Sequence, residues 1–275
     1  MKKIAVVLLQ MDIAFGNPKE NQRHVRELFQ EANLQPGELV ILPEMWNTAY
    51  DLTRLEEIAD YNGQETLQLL KELATTYRVT IVGGSVAVKE GADFYNRTYV
   101  IDENGSVLTQ YDKAHLFGLM AEDRYLASGN KLAFFENKQV TISPFICYDL
   151  RFPEWYRLAA QQGAEVYIVS AQWPVQRLAQ WRKLLQARAI ENQAFFIAVN
   201  RVGADPANHF PGHSMIIDPL GEIILELDDQ ECIARGEVDA AAILPVRGEI
   251  PVFKDARPAL YEQIRKGETN NGIFD

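Results

Sequence analysis

Three reactive side chains stand where apolar runs meet polar turns. Cys147 follows Pro144-Phe145-Ile146 and precedes Tyr148-Asp149-Leu150-Arg151-Phe152-Pro153-Glu154, a polar turn leading into a helix start. Glu44 follows Val40-Ile41-Leu42-Pro43, and Lys113 follows the run that ends at Tyr111. A thiol at the exit of a buried strand is held in space by the sheet, while the turn opens it to a substrate. Attack by a cysteine on a carbonyl carbon needs a base for the thiol proton, and a cation or N–H donors where the oxyanion develops. Glu44 and Lys113 are of the types that supply those two needs. Taken singly, each residue has a plain structural reading, since free cysteine packs as a small hydrophobe and most Glu and Lys side chains are solvated. Their joint placement at strand ends, where open α/β sheets hold ligands, points to chemistry.

The elements that would carry these residues alternate between strand and helix patterns, which predicts an α/β fold with helices outside. Residues 4–11 read as a strand, and Asn17-Pro18-Lys19-Glu20 supplies a cap, a first-turn proline and a first-turn acid for a helix to about Ala32. Leu39 to Leu42 read as a short strand, residues 64–77 as a helix and Val79 to Val88 as one strand, with Gly83-Gly84-Ser85 in its interior. Glu103-Asn104-Gly105 and Asp218-Pro219-Leu220-Gly221 sit between apolar runs as hairpin turns. Strands over 140–146, 165–170 and 195–200 alternate with helices over 153–162 and 176–191. No linker, repeat or low-complexity tract interrupts the 275 residues, so a single domain over 1–275 is expected.

Composition narrows the partners. A formal charge of −11 argues against nucleic acid, and no apolar run approaches the roughly 20 residues a membrane helix needs. A small-molecule partner is expected. Met1-Lys2-Lys3 and the apolar run after it lack a cleavage pattern, so Cys147 and Cys232 are expected to stay reduced in the cytoplasm.

In Leu42-Pro43-Glu44-Met45, Tyr111-Asp112-Lys113-Ala114-His115-Leu116-Phe117 and Ile146-Cys147-Tyr148-Asp149-Leu150-Arg151-Phe152-Pro153-Glu154, the chain resembles the nitrilase superfamily of carbon-nitrogen hydrolases. Ala187-Arg188-Ala189-Ile190-Glu191-Asn192, Gly212-His213-Ser214 and Ile250-Pro251-Val252-Phe253 extend the likeness. Within the superfamily, His115-Leu116-Phe117 together with Ala171-Gln172-Trp173-Pro174 is similar to the bacterial omega-amidase and Nit2-like branch, which hydrolyses short dicarboxylic monoamides such as 2-oxoglutaramate. Another aliphatic amide or an N-carbamoyl compound is the alternative substrate. The resemblance implies a four-layer α-β-β-α sandwich with two mixed sheets face to face. It also implies a homodimer, to which the tail from about residue 250 contributes, and no metal or organic cofactor.

The resemblance assigns roles to particular residues. Glu44 would be the general base, Cys147 the nucleophile, and Lys113 with the Tyr148 N–H the oxyanion donors. Glu122 would position Lys113 and the substrate amide. Tyr148, Phe117, Gln172, Trp173 and Met45 are expected pocket walls. Arg151, Arg124 and Lys183 are candidates for a substrate carboxylate. Beside two carboxylates Lys113 should stay charged, and its charge should favour thiolate at Cys147. Asp149 and Arg151 are expected to pair and brace the turn, Arg188, Glu191 and Asn192 to lock their helix to the sheet, and His213 to make structural hydrogen bonds. Two other readings differ: a thiol hydrolase using His115 or His213 with Cys147 would be indifferent to Lys113, and a non-catalytic binding protein would need none of the three reactive residues.

Overall fold

A computed structural model describes residues 2–267. Its strands form two principal sheets. In the first, Cys232–Asp239, Lys3–Gln10, Leu39–Ile41, Thr80–Val82, Asp93–Ile101, Val86–Glu90 and Asp60–Tyr61 lie in that order, and Val107–Asp112 also pairs with Asp93–Ile101. In the second the order is Ile223–Glu226, Met215–Ile217, Phe195–Asn200, Val166–Ala171, Val140–Ile146 and Phe135–Asn137. A small ribbon, Val202–Ala204 with His209–Pro211, stands apart.

The period-two alternation of strand side chains explains why these sheets stack. Ile4, Val6 and Leu8 turn inward with Leu39 and Ile41, and they meet Val166, Ile168, Ile197 and Val199 of the second sheet. The intervening Val7, Leu9 and Val40 turn outward onto Val25, Leu28 and Phe29 of helix Pro18–Glu31 and Leu69, Leu70 and Leu73 of helix Gln64–Tyr77. On the far side, Tyr167, Val169 and Phe196 pack against Tyr156 of helix Pro153–Gln161 and Trp181 and Leu185 of helix Leu178–Asn192. The result is helix, sheet, sheet, helix. Each fully buried aliphatic side chain contributes roughly 1.5–3 kcal/mol relative to exposure, so the dry layer between the sheets is a principal source of stability.

Several expected elements form with nearly the expected bounds. Asn17 accepts a hydrogen bond from the Glu20 N–H at 3.3 Å, with Pro18 opening the helix. The expected strand from Val79 to Val88 is instead two strands, Thr80–Val82 and Val86–Glu90, which pair with different stretches of Asp93–Ile101. Gly83 to Ser85 form the break, and Gly84 has φ +59°. A Cβ there would lie 2.0 Å from the Pro43 carbonyl oxygen, so only glycine lets this loop approach the turn that carries Glu44. Gly84→Ala is therefore expected to lower stability by more than about 1 kcal/mol, and urea unfolding checks it against Gly91→Ala. Gly91 also has positive φ but has no atom within 4 Å of its Cβ position, so equal losses would show that conformation alone, not crowding, governs Gly84.

The chain past Asp239 was not assigned elements from sequence. It continues as helices Ile243–Glu249, Val252–Asp255 and Pro258–Arg265. Phe253 sits under Arg157 and Arg247, whose guanidinium carbons lie 5.0 and 4.9 Å from its ring centre. Among the described residues, no helix is long and apolar enough to cross a membrane.

Candidate active site

Parallel strands from both sheets end at one place. Leu39–Ile41 leads to Glu44, Val140–Ile146 to Cys147, and Val166–Ala171 to Gln172, while the first sheet's Val107–Asp112 delivers Lys113. Two of these exits need unusual backbone. Met45, directly after Glu44, has φ +47°, and Cys147 itself has φ +43°. Non-glycine residues pay roughly 1–3 kcal/mol for such conformations, and here surrounding hydrogen bonds hold them. The Met45 N–H donates to Ser85 Oγ at 2.9 Å and the Trp46 N–H to the Ser85 carbonyl at 3.0 Å. Before Cys147, the Ile146 N–H donates to Asp149 Oδ2 at 3.0 Å, closing the elbow from its far side.

The centre of the site is an ammonium clamped between two carboxylates. Lys113 Nζ lies 2.7 Å from Glu44 Oε1 and 2.8 Å from both oxygens of Glu122, and all three side chains are fully buried. Burial alone would pull the lysine toward neutrality, but the charges of Glu122 and Glu44 outweigh it and its affinity for the proton rises. The expectation of a permanently charged Lys113 therefore agrees with the geometry. Burial, with Glu44 adding to it and Lys113 opposing, raises the pKa of Glu122.

Cys147 departs from expectation. Burial first, and then the negative charge of Glu44, push its thiol well above the ordinary cysteine range, and Lys113 offsets only part of this. The pull of Lys113 toward thiolate has the expected direction but is smaller than the opposing effects of burial and Glu44. The thiol form of Cys147 is thereby favoured.

Two further residues, Tyr50 and Asn96, complete the cluster and were missed. The Tyr50 hydroxyl stands 2.7 Å from Glu44 Oε1 and 3.0 Å from Glu122 Oε1, and Asn96 Nδ2 donates to Glu44 Oε1 at 2.9 Å. Tyr50 sits six residues beyond Glu44 in the same turn-rich segment, which was a usable signal. Asn96 lies inside strand Asp93–Ile101, and nothing in its neighbours distinguishes it.

Gln172 and Glu44 join the two sheets. The Gln172 N–H donates to Glu44 Oε2 at 2.8 Å, and its side-chain amide donates to the Glu44 carbonyl at 2.8 Å. Arg201, fully buried, donates to Gln172 Oε1 at 3.0 Å. Glu122 is oriented by the Phe117 N–H, which reaches Oε2 at 2.6 Å.

A small pocket opens beside Cys147. Tyr148, Phe117, Gln172 and Trp173 line it as expected, together with Pro174, Arg151 and Arg177. Met45 does not line it. That side chain is fully buried in a separate apolar cluster with Leu52, Leu55, Ala87 and Leu126, because the left-handed turn after Glu44 aims it there. Arg124 and Lys183 are exposed and away from the pocket, so of the three cation candidates only Arg151 lines it. Arg177 was not anticipated.

The brace after Cys147 differs from the expected Asp149–Arg151 pair. Asp149, fully buried, accepts from the Tyr111 hydroxyl at 2.6 Å and the His115 N–H at 3.1 Å, besides Ile146. Arg151 donates instead to Gln180 and lies over the Trp173 ring. His115 Nδ1 is 2.7 Å from Asp149 Oδ1 and its ring stacks on Phe152, while His213 meets Arg182 and Glu226. Both histidines are engaged in structural contacts, and the carboxyl group beside Cys147 is that of Glu44. Arg188 ties its helix to the Leu150 carbonyl, at 3.1 Å, rather than to a strand.

The family model described as carbon-nitrogen hydrolase matches residues 3–247. A 2-oxoglutaramate amidase of Bacillus subtilis (strain 168) is 46% identical over 94% of this chain and 100% of its own length. The omega-amidase YafV of Yersinia enterocolitica is 32% identical over 93% of this chain and 97% of its own. Among solved structures, XC1258 from Xanthomonas campestris, a CN-hydrolase superfamily protein with an arsenic adduct in its active site, superposes with a TM-score of 0.87 at 31% identity, covering 94% of this chain and 98% of that one. The chain belongs to the carbon-nitrogen hydrolase family of the nitrilase superfamily, and its relatives place it in the omega-amidase branch.

Proposed function

We propose that the protein is an omega-amidase that hydrolyses the terminal amide of short dicarboxylic monoamides, such as 2-oxoglutaramate, to a carboxylate and ammonia. The observation that carries this reading is the buried Lys113 clamped by Glu44 and Glu122 beside a strained, pocket-lining Cys147. The 46% identical relative named 2-oxoglutaramate amidase supports the substrate.

In this reading Glu44 takes the Cys147 proton as sulfur attacks the amide carbonyl carbon. The raised thiol pKa makes a base in contact with the thiol necessary at neutral pH. The tetrahedral oxyanion is held by Lys113 Nζ and the Tyr148 N–H. Glu44 returns the proton to nitrogen, the C–N bond breaks, ammonia leaves and a thioester remains. A water then attacks the thioester carbonyl, giving its proton to Glu44, and the C–S bond breaks to yield carboxylate and regenerate the thiol. Glu122 keeps Lys113 charged and in place throughout, and Tyr50 and Asn96 fix the Glu44 oxygen that faces it.

The remaining expectations belong to the same proposal. The protein is one catalytic domain, a cytoplasmic homodimer joined through its outer helical layer, and the segment from about residue 250 serves that contact. Exposed Leu158, Ile250, Tyr261 and Ile264 on that side support it; residues 268–275 of the expected tail lie outside the described residues.

An ammonia-release panel tests the substrate. 2-Oxoglutaramate and succinamate are expected to give kcat/KM values at least tenfold above those of glutamine, an N-carbamoyl amino acid and a simple nitrile. Preference for the carbamoyl compound would move the protein to another amidase class.

A further inference from the structure

The reacting cluster is the wrong place for an anionic substrate group. Glu44 and Glu122 set two carboxyl groups against the single ammonium of Lys113, all buried, where repulsion of a further carboxylate is weakly screened. An omega-amide must therefore enter with its carboxylate pointed away from that cluster. Two guanidinium groups, Arg151 and Arg177, line the pocket beside Cys147, and none of Glu44, Glu122 and Lys113 is among its lining residues.

Both are half-buried over aromatic rings. The Arg151 guanidinium carbon lies 5.0 Å from the Trp173 ring centre, and that of Arg177 lies 5.4 Å from the Phe117 ring centre. Neither has a carboxylate partner among the described residues, in a chain with 38 acidic and 27 basic side chains. The arginines of the adjoining helix are matched, Arg182 to Glu226 and Arg188 to Glu191. Arg151 is already committed to Gln180. The Arg177 backbone is held by the Trp173 indole, which donates to its carbonyl at 2.8 Å, yet among the described residues its guanidinium has no hydrogen-bond partner. A fixed backbone, a free planar donor fork and an aromatic shelf are what bidentate capture of a carboxylate requires.

Resting on the amidase reading above, we infer that Arg177 is the substrate-carboxylate anchor of this pocket, with Arg151 adding a second positive charge beside it.

The test compares succinamate with butanamide, a neutral amide of equal chain length, in wild type, Arg177→Ala and Arg177→Lys. Removing a hydrogen-bonded charge partner costs about 10- to 100-fold. The kcat/KM ratio of succinamate to butanamide is expected to collapse by that factor in Arg177→Ala, mostly through KM, and to recover in part in Arg177→Lys. Succinamate binding by calorimetry in a Cys147→Ala background, where turnover is blocked, should weaken in parallel when Arg177→Ala is added. A ratio and a succinamate affinity within about twofold of those with Arg177 intact would overturn the anchor while leaving the amidase intact. Wild-type protein that releases ammonia from neither amide would overturn the amidase reading itself.

Discussion

Lys113→Ala is expected to lose at least 10² to 10³ in kcat on any amide the wild type hydrolyses, because it removes a preorganised oxyanion donor from a water-poor site. The same change leaves Glu44 and Glu122 buried without their shared cation. Breaking a buried ion pair from one side costs about 3–5 kcal/mol, so the variant should also be markedly less stable. The pH dependence follows from the sign of the resulting shift. Without the ammonium, the folded carboxylate pair holds a proton more tightly than the unfolded chain does, so the folded state binds the excess protons and stability falls as pH rises. The stability gap to wild type should therefore narrow on going from pH 8 to pH 5. Urea unfolding at both pH values and steady-state ammonia release measure the two effects separately. Near-normal turnover in Lys113→Ala would refute the oxyanion role and return the histidine-based alternative to consideration.

Cys147→Ala is expected to abolish turnover, since removing the nucleophile of a covalent hydrolase costs on the order of 10⁶-fold. Mass spectrometry of quenched wild-type reactions should detect the thioester adduct on the peptide containing Cys147, and the variant should show none. Stability should change little, because alanine bears the same left-handed strain at φ +43°. Cys147→Gly should be equally inactive yet at least as stable as Cys147→Ala, because relief of roughly 1–2 kcal/mol of strain offsets the extra freedom glycine gives the unfolded chain. Ammonia release persisting in either variant would eliminate Cys147 as the attacking group.

The parts of this site that could be read from sequence are those placed by strand ends. Glu44, Lys113 and Cys147 are polar residues directly after apolar runs, and the period-two pattern that locates the runs also locates them. Gln172 and Trp173 follow the same logic. Tyr50 and Asn96 reach the cluster from a turn-rich segment and a strand interior, and Arg177 reaches the pocket from a one-turn helix, where periodicity carries no information about direction. Strand Cys232–Asp239 was overlooked for a related reason. It pairs with the whole of Lys3–Gln10, yet it is a half-exposed edge whose residues alternate weakly, Cys-Ile-Ala-Arg-Gly-Glu-Val-Asp. The break at Gly83 to Ser85 was hidden because flanking β-branched residues on both sides read as one continuous strand. Fold class is a property of many residues and survives such errors; the direction of a single side chain does not.

The cross-sheet seam has a consequence for how the reactive thiol is armed. Glu44 belongs to the first sheet and Cys147 to the second, and the bonds that bring their regions together, from Gln172 to Glu44 and from Ser170 to the Leu42 carbonyl at 2.9 Å, span 128 positions of chain. Neither sheet alone contains both a thiol and its base. During synthesis or after local melting, a chain with only one sheet assembled carries an ordinary cysteine with no general base beside it and no clamped ammonium opposite. Base-assisted attack therefore requires the closed sandwich and is lost when its halves separate, because the thiol and the carboxylate that serves it come from different sheets.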